Sequence, residues 1–148
     1  MNWQSLLDTD RLQVHTASAP ELAQLRAVID RDLKDAALPG LSEDRRFATT
    51  YNAVLQLAKM VIACAGYRVT ARQGHHQASF QALSLAMGPG IADLVAYFDT
   101  CRRKRNLVDY DRADQVSETE ARELWEKAQE FRTLVEVWIA QHHPHLVR

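Results

Sequence analysis

Glycine, cysteine and long apolar runs are scarce in this chain. Its 148 residues include five glycines, and none forms a phosphate-binding loop: the "GPG" at 88–90 lacks the lysine and the strand context of a P-loop. A Gly-x-Ser-x-Gly nucleophile elbow is also missing. The two cysteines, Cys64 and Cys101, have no CxxC spacing and fall inside helical patterns, so they read as small core residues rather than as a metal or redox motif. No apolar run approaches the roughly 20 residues a membrane-spanning helix needs. The first residues, MNWQSLLDTDRL, have neither the basic start nor the apolar centre of a secretion signal, so a cytoplasmic protein without a membrane partner is expected. No charge of one sign prevails either: 18 Lys and Arg against 19 Asp and Glu give a net −1, which excludes global attraction for a polyanion. Contact with nucleic acid would have to come from a local patch.

Helical periodicity is what remains, with β-branched alternation of period two nearly absent. In "SAPELAQLRAVIDRDLKDAAL", Ser18 can cap, Pro20 suits a first turn, and Leu22, Leu25, Ile29, Leu33 and Ala36 trace an apolar face that Pro39 and Gly40 end. The next helix opens at Ser42, with Glu43 and Asp44 in its positive first turn. Its stripe of Phe47, Tyr51, Val54, Leu55, Ala58, Ile62 and Ala65 makes it the central core helix. Gly66 stops it, and "GYRVTARQGHH" reads as a polar connection.

A shorter helix is expected over "HQASFQALSLAM", and a fourth from near Ile91 through Leu94, Val95, Phe98 and Cys101 into "RRKR". "SETE" at 117–120 matches a capping box and starts a last helix with Leu124, Ala128, Phe131, Leu134, Val135 and Trp138 on its buried face, up to Pro144. The fold expected is an all-α up-and-down bundle of four to five helices in one domain, 1–148. Residues 1–17 would pack on it as a short segment, and 142–148 would be a frayed tail.

Turning forward at about 100° per residue, the apolar face of the fourth helix meets Arg102, Arg105 and Asp109, with Arg103 and Lys104 to either side. A guanidinium cannot be deprotonated, and burying it alone is costly, so the helix must leave the core here or line a cleft. One reading is a helix end running into solvent with Arg105 paired to Asp109. The other brings Arg105, Asn106 and Tyr110 together at a ligand. Arg105 and Tyr110 point about 140° apart on an unbroken helix, so that reading needs the helix to end or distort before Tyr110, or a second subunit to contribute.

"SEDRRFATTYNAVLQLAKMVIACAGYR", "GHHQASFQAL" and "RRKRNLVDYD" before a long final helix resemble the HEPN superfamily, the higher eukaryotes and prokaryotes nucleotide-binding domain, over about residues 20 to 140. The resemblance implies a helical homodimer with an interface cleft. Many members are metal-independent ribonucleases acting as toxins or in phage defence. Their motif is an arginine, a polar residue and, four to six residues after the arginine, a histidine. Arg105 and Asn106 take the first two positions, and Tyr110 stands where the histidine is expected. Tyrosine, with a reference pKa near 10, is a poor general base at neutral pH, so a hydrogen bond to phosphate or stacking on a base is its expected role. Arg105 would hold phosphate oxygens and stabilise a pentacoordinate intermediate, and Asn106 would orient a phosphate or Arg105 itself.

The resemblance leaves two expectations. One is a protein that binds RNA or nucleotide phosphates through the catalytic set Arg105, Asn106 and Tyr110, assisted by Arg102, Arg103 and Lys104, and cleaves RNA without a cofactor. The other is a catalytically inactive binding or regulatory module. Some superfamily members have a nucleotidyltransferase antitoxin that adenylylates a tyrosine near the motif, which would make Tyr110 the acceptor. His75 and His76 are secondary candidates, capping a helix or standing beside the motif. No metal site is expected: adjacent histidines seldom face one ion, and His142, His143 and His145 fall in the tail.

Overall fold

The computed structural model describes residues 2–108 and 113–148. Among them are six α-helices and one small sheet: α1 (Trp3–Asp8), β1 (Leu12–Val14), α2 (Ala19–Ala36), α3 (Glu43–Cys64), β2 (Tyr67–Val69), α4 (His75–Met87), α5 (Ala92–Val108) and α6 (Glu118–His142). The chain is an all-α bundle, as its periodicity predicts.

Helix α3 is the axis of that bundle and packs against α2, α4, α5, α6 and β2. Its stripe explains this position, because 12 of its 22 residues are buried. Phe47, Tyr51, Val54, Leu57, Ala58 and Val61 meet Leu22, Ile29 and Leu33 of α2 and Leu124, Ala128, Phe131 and Val135 of α6 in one core. Local signals set the boundaries. Ser18, Ser42 and Ser117 each accept a backbone N–H of the helix they precede, and Glu120 returns the bond at Ser117 to complete the capping box.

The stretch expected to be a polar connection contains β2, which pairs antiparallel with β1 in the register Leu12↔Val69, Gln13↔Arg68 and Val14↔Tyr67. Strands of three residues are too short to show period-two alternation. Leu12, Tyr67 and Val69 nevertheless join Leu6, Ile62 and Ala82 in a second, smaller cluster, with Trp3 stacked on Tyr67 at 4.5 Å. The N-terminal segment is thus bound to the bundle by a sheet as well as by a helix.

Two further expectations are corrected. Leu134, assigned to the buried face of α6, is 40% exposed and Trp138 half-buried, because α2 and α3 cover a narrower arc of α6 than its sequence stripe spans. The tail is docked rather than frayed: Pro144–Leu146 form a 3-10 turn and Leu146 is buried. Its carbonyl accepts from Arg26 Nη2 at 3.0 Å, while Arg26 Nε and Nη2 also donate to the two Glu136 oxygens at 2.9 and 2.8 Å. Beyond it, Arg148 pairs with Asp30, which Arg132 also reaches at 3.1 Å. A hydrophobic anchor and two guanidinium clamps thus hold a segment whose sequence is mostly polar.

Arg26 is buried, so a variant that removes its carboxylate strands a charge. Glu136→Ala should lower the unfolding free energy by about 3 kcal/mol in urea titrations; a loss below about 0.5 kcal/mol would show that the clamp is not needed. Asp30 gives a pH signature. Hydrogen bonding from Arg148 holds its carboxyl below the ordinary value of 3.8, with Arg132 acting in the same sense. A carboxyl with a depressed folded pKa contributes stability that is complete above its unfolded value and is lost as pH falls through the folded one. The thermal midpoint of Asp30→Asn should therefore fall less steeply below pH 4 than that of the wild type, and parallel acid limbs would refute the linkage.

Candidate functional site

The basic run of α5 and the histidine pair meet at one end of the bundle. Phe98, wholly buried between Phe80 and Phe131, anchors the middle of α5, and Cys101 is its last buried residue. Past that point α5 leaves the core and carries Arg102 and Asn106 along the start of α4. Gln73, Gly74, His75, His76 and Gln77 form the opposite wall of a cleft of about 350 Å³.

Backbone geometry creates the α4 side. Gly74 precedes the helix at φ +80°, a left-handed conformation that a β-carbon would strain. No side chain caps the helix. The Arg72 carbonyl instead accepts from the backbone N–H of His75 at 3.1 Å and from its ring Nδ1 at 3.1 Å. A carbonyl can only accept, so Nδ1 carries a proton and, in the neutral ring, Nε2 carries the lone pair. The His76 ring stands nearly perpendicular to it, centroids 4.4 Å apart.

Tyr51 joins this wall to the core. It has no exposed surface, packs edge-on against Phe80 at 6.3 Å, and its hydroxyl lies 3.3 Å from His76 Nδ1. Above the same ring, 6.0 Å from its centroid, is the Arg105 guanidinium carbon. Burial pushes the Tyr51 phenol well above its usual pKa, with Arg102 and Arg105 offsetting only part of the effect, so the hydroxyl keeps its proton at every physiological pH.

The neighbouring cations have carboxylate partners. Arg102 Nε donates to Asp99 Oδ1 at 2.9 Å, and Arg103, well exposed, reaches Asp99 Oδ2 at 3.5 Å. Lys104 turns to the start of α6 and lies 3.3 Å from Glu120. A hydrogen bond from the Ser117 backbone and the Lys104 ammonium both hold the Glu120 carboxyl below its ordinary range. Of the residues expected to bind phosphate, Arg102 lines the cleft, whereas Arg103 and Lys104 do not. Asn106 lines it, with Arg105 behind on Tyr51. Tyr110 and Asp109 lie outside the described residues.

The family comparison fits this placement. A family model described as HEPN_SAV_6107-like HEPN matches residues 39–136, about two thirds of the chain. The chain belongs to the HEPN superfamily. No curated protein and no solved structure matches it. The matched HEPN region holds both walls of the cleft, while α1, β1, α2 and the docked tail lie outside it.

Two contributors escape sequence reading. Tyr51 sits on an unbroken apolar stripe and reads as packing, so nothing in its spacing signals the contacts to His76 and Arg105. Asp99 does leave a signal, standing three residues before Arg102 and four before Arg103, where one helix turn brings opposite charges together.

Neither cysteine is placed for nucleophilic chemistry. Burial pushes the Cys64 and Cys101 thiols up to about 11 each, which keeps the thiolate scarce at neutral pH. Iodoacetamide at pH 8 should label neither in the folded protein and both in urea, as read by intact mass; rapid labelling of the native state would contradict their burial.

Proposed function

We propose that this HEPN domain binds RNA at the cleft between α4 and α5 and cleaves it without a metal ion, the 2′-hydroxyl serving as nucleophile. The observation that carries this reading is the meeting of Arg102 and Asn106 with His75 and His76 across one cleft of about 350 Å³, which sets cationic, amide and imidazole groups around a space large enough for a phosphodiester and its neighbouring riboses. Asp99 engages Arg102 through Nε alone, and the two Nη groups can grip phosphate oxygens bidentately. Asn106 would orient the phosphate. Arg105, which the motif resemblance places at the reacting phosphate, would stabilise the charge of a pentacoordinate intermediate.

Tyr110, at the motif's histidine position, would donate a hydrogen bond to the phosphate or stack on a base. Two copies facing each other would double the cationic surface, in keeping with a homodimer. Toxin or phage-defence roles, with RNA as target and a nucleotidyltransferase as antitoxin, belong to the same reading. A specific observation favours a second one: with Tyr110 in place of the motif histidine, the domain could hold RNA without cutting it.

Incubation with labelled RNA in EDTA separates the two. Cleavage by the wild type, reduced about 100-fold or more by Arg105→Ala and accompanied by weaker RNA binding in Arg102→Ala, is the expected result. Binding without cleavage would establish the silent module, and wild-type affinity in Arg102→Ala would remove the cleft from RNA recognition.

A further inference from the structure

We infer that the cavity between the small sheet and helices α2 and α3 is a binding site for a small organic monocarboxylate with an apolar body. It shares no lining residue with the α4–α5 cleft, and the inference is independent of the RNA reading. At about 640 Å³ the cavity has the size of a small-molecule site. Its walls come from both sides of a boundary: β1 and α2 precede the family-matched residues, whereas α3 and β2 belong to them. The N-terminal segment creates the cavity by closing on the bundle.

Leu25 of α2, Ile62 and Ala63 of α3, and Tyr67 and Val69 of β2 give it an apolar lining. Tyr67 is held by its stack on Trp3, with 4.5 Å between the ring centroids, so this wall is in place before a ligand arrives. Lys59 and Arg68 supply positive charge. Among the described residues neither has a carboxylate partner. Arg68 is positioned by a neutral group instead, since its Nε and Nη2 donate to Gln13 Oε1 across the strand pair at 3.0 and 2.8 Å. That contact occupies one edge of the guanidinium and leaves the edge formed by Nη1 and Nη2 for two parallel bonds to a carboxylate. Arg102 differs, because Asp99 already balances its charge.

Among the lining residues Glu21 is the only acid, and it accepts from His15. His15 Nε2 lies 2.9 and 2.8 Å from the two Glu21 oxygens, and a carboxylate only accepts, so Nε2 carries the proton. Two cations facing one carboxylate leave the cavity net positive in either charge state of His15. A monoanion matches that excess. A phosphate dianion would exceed it when His15 is neutral and would stand near Glu21. The helix start on this wall is that of α2, and Glu21 in its first turn already takes the favourable place that an anion would use. Apolar burial against Leu25 and Val69 then supplies affinity, and the carboxylate sets the orientation.

The test uses the full-length protein, isothermal titration calorimetry and two probes, hydrocinnamate with an aromatic body and isocaproate with a branched aliphatic one. At least one should bind saturably with a Kd below about 1 mM, and the stronger of the two identifies the preferred body. Its neutral amide should bind about 10-fold more weakly or worse, because the charge-assisted bonds are lost. Arg68→Gln and Lys59→Met should each weaken the acid by about 10-fold; both positions are exposed, so neither change removes core packing. Methyl NMR shifts on binding should fall on Leu25, Ile62, Ala63 and Val69. A Kd above about 1 mM for both acids, equal affinity for the amides, tighter binding of phenyl phosphate, or acid binding unchanged in either variant overturns the assignment. All these readouts are taken without RNA, so they bear on this cavity alone.

Discussion

The hydroxyl and ring of Tyr51 are the point on which the rest of this molecule depends. Its ring fills the core stripe of α3 and touches Phe80, so its position is fixed by close packing. Its two remaining features make the contacts behind the cleft: the π-face lies under Arg105 and the hydroxyl against His76. The aromatic face attracts such a cation through the ring quadrupole without full desolvation. One buried side chain thereby touches both an arginine from α5 and a histidine from α4.

A second chain of constraints runs through the N-terminal segment. The pairing of β1 with β2 holds the loop that leads into α4, and Thr70 extends it by donating from Oγ1 to the Asp10 carbonyl at 2.7 Å and from its N–H to the Arg11 carbonyl at 2.9 Å. Arg72 Nη1 donates to the Thr9 carbonyl at 3.0 Å, and the carbonyl of the same Arg72 fixes the His75 ring. The carbonyl that fixes this ring lies inside the family-matched region, while the loop carrying it is held by a segment outside it. Three-residue strands contribute little stability alone, but here they fix the orientation of the loop that leads into α4.

Bundle architecture was readable because its determinants are local or periodic. Ser18, Ser42 and Ser117 mark helix starts, and the stripe from Phe47 to Ile62 identifies the central helix. The departure of α5 from the core was equally legible at Arg102, since an arginine on an apolar face must find a partner or an exit. What could not be read is non-local. The pairing of Leu12 with Val69 spans more than fifty residues and leaves no periodic trace. Leu146 is buried in the main core, and its carbonyl takes a donor from Arg26, far away in α2. The cleft falls between these cases: the basic run and the histidine pair are each visible in the sequence, whereas their meeting requires the α4–α5 packing built around Phe80 and Phe98.

Under the proposed function, the charge distribution limits how such a cleft would recognise RNA. Asp99 pairs with Arg102 and Arg103, and Glu120 with Lys104, so these three of the four adjacent cations project less field than their sequence suggests. The chain as a whole is slightly acidic. Steering of a polyanion from a distance is therefore weak, and affinity must come from short-range bonds to one or two phosphates. That suits a site which selects an exposed single-stranded phosphodiester and holds it against fixed imidazoles. It does not suit a surface that coats RNA along its length. A carboxylate on Arg102 also has a positive role in that reading, since a guanidinium tethered at Nε would lose less rotamer freedom on binding a phosphate.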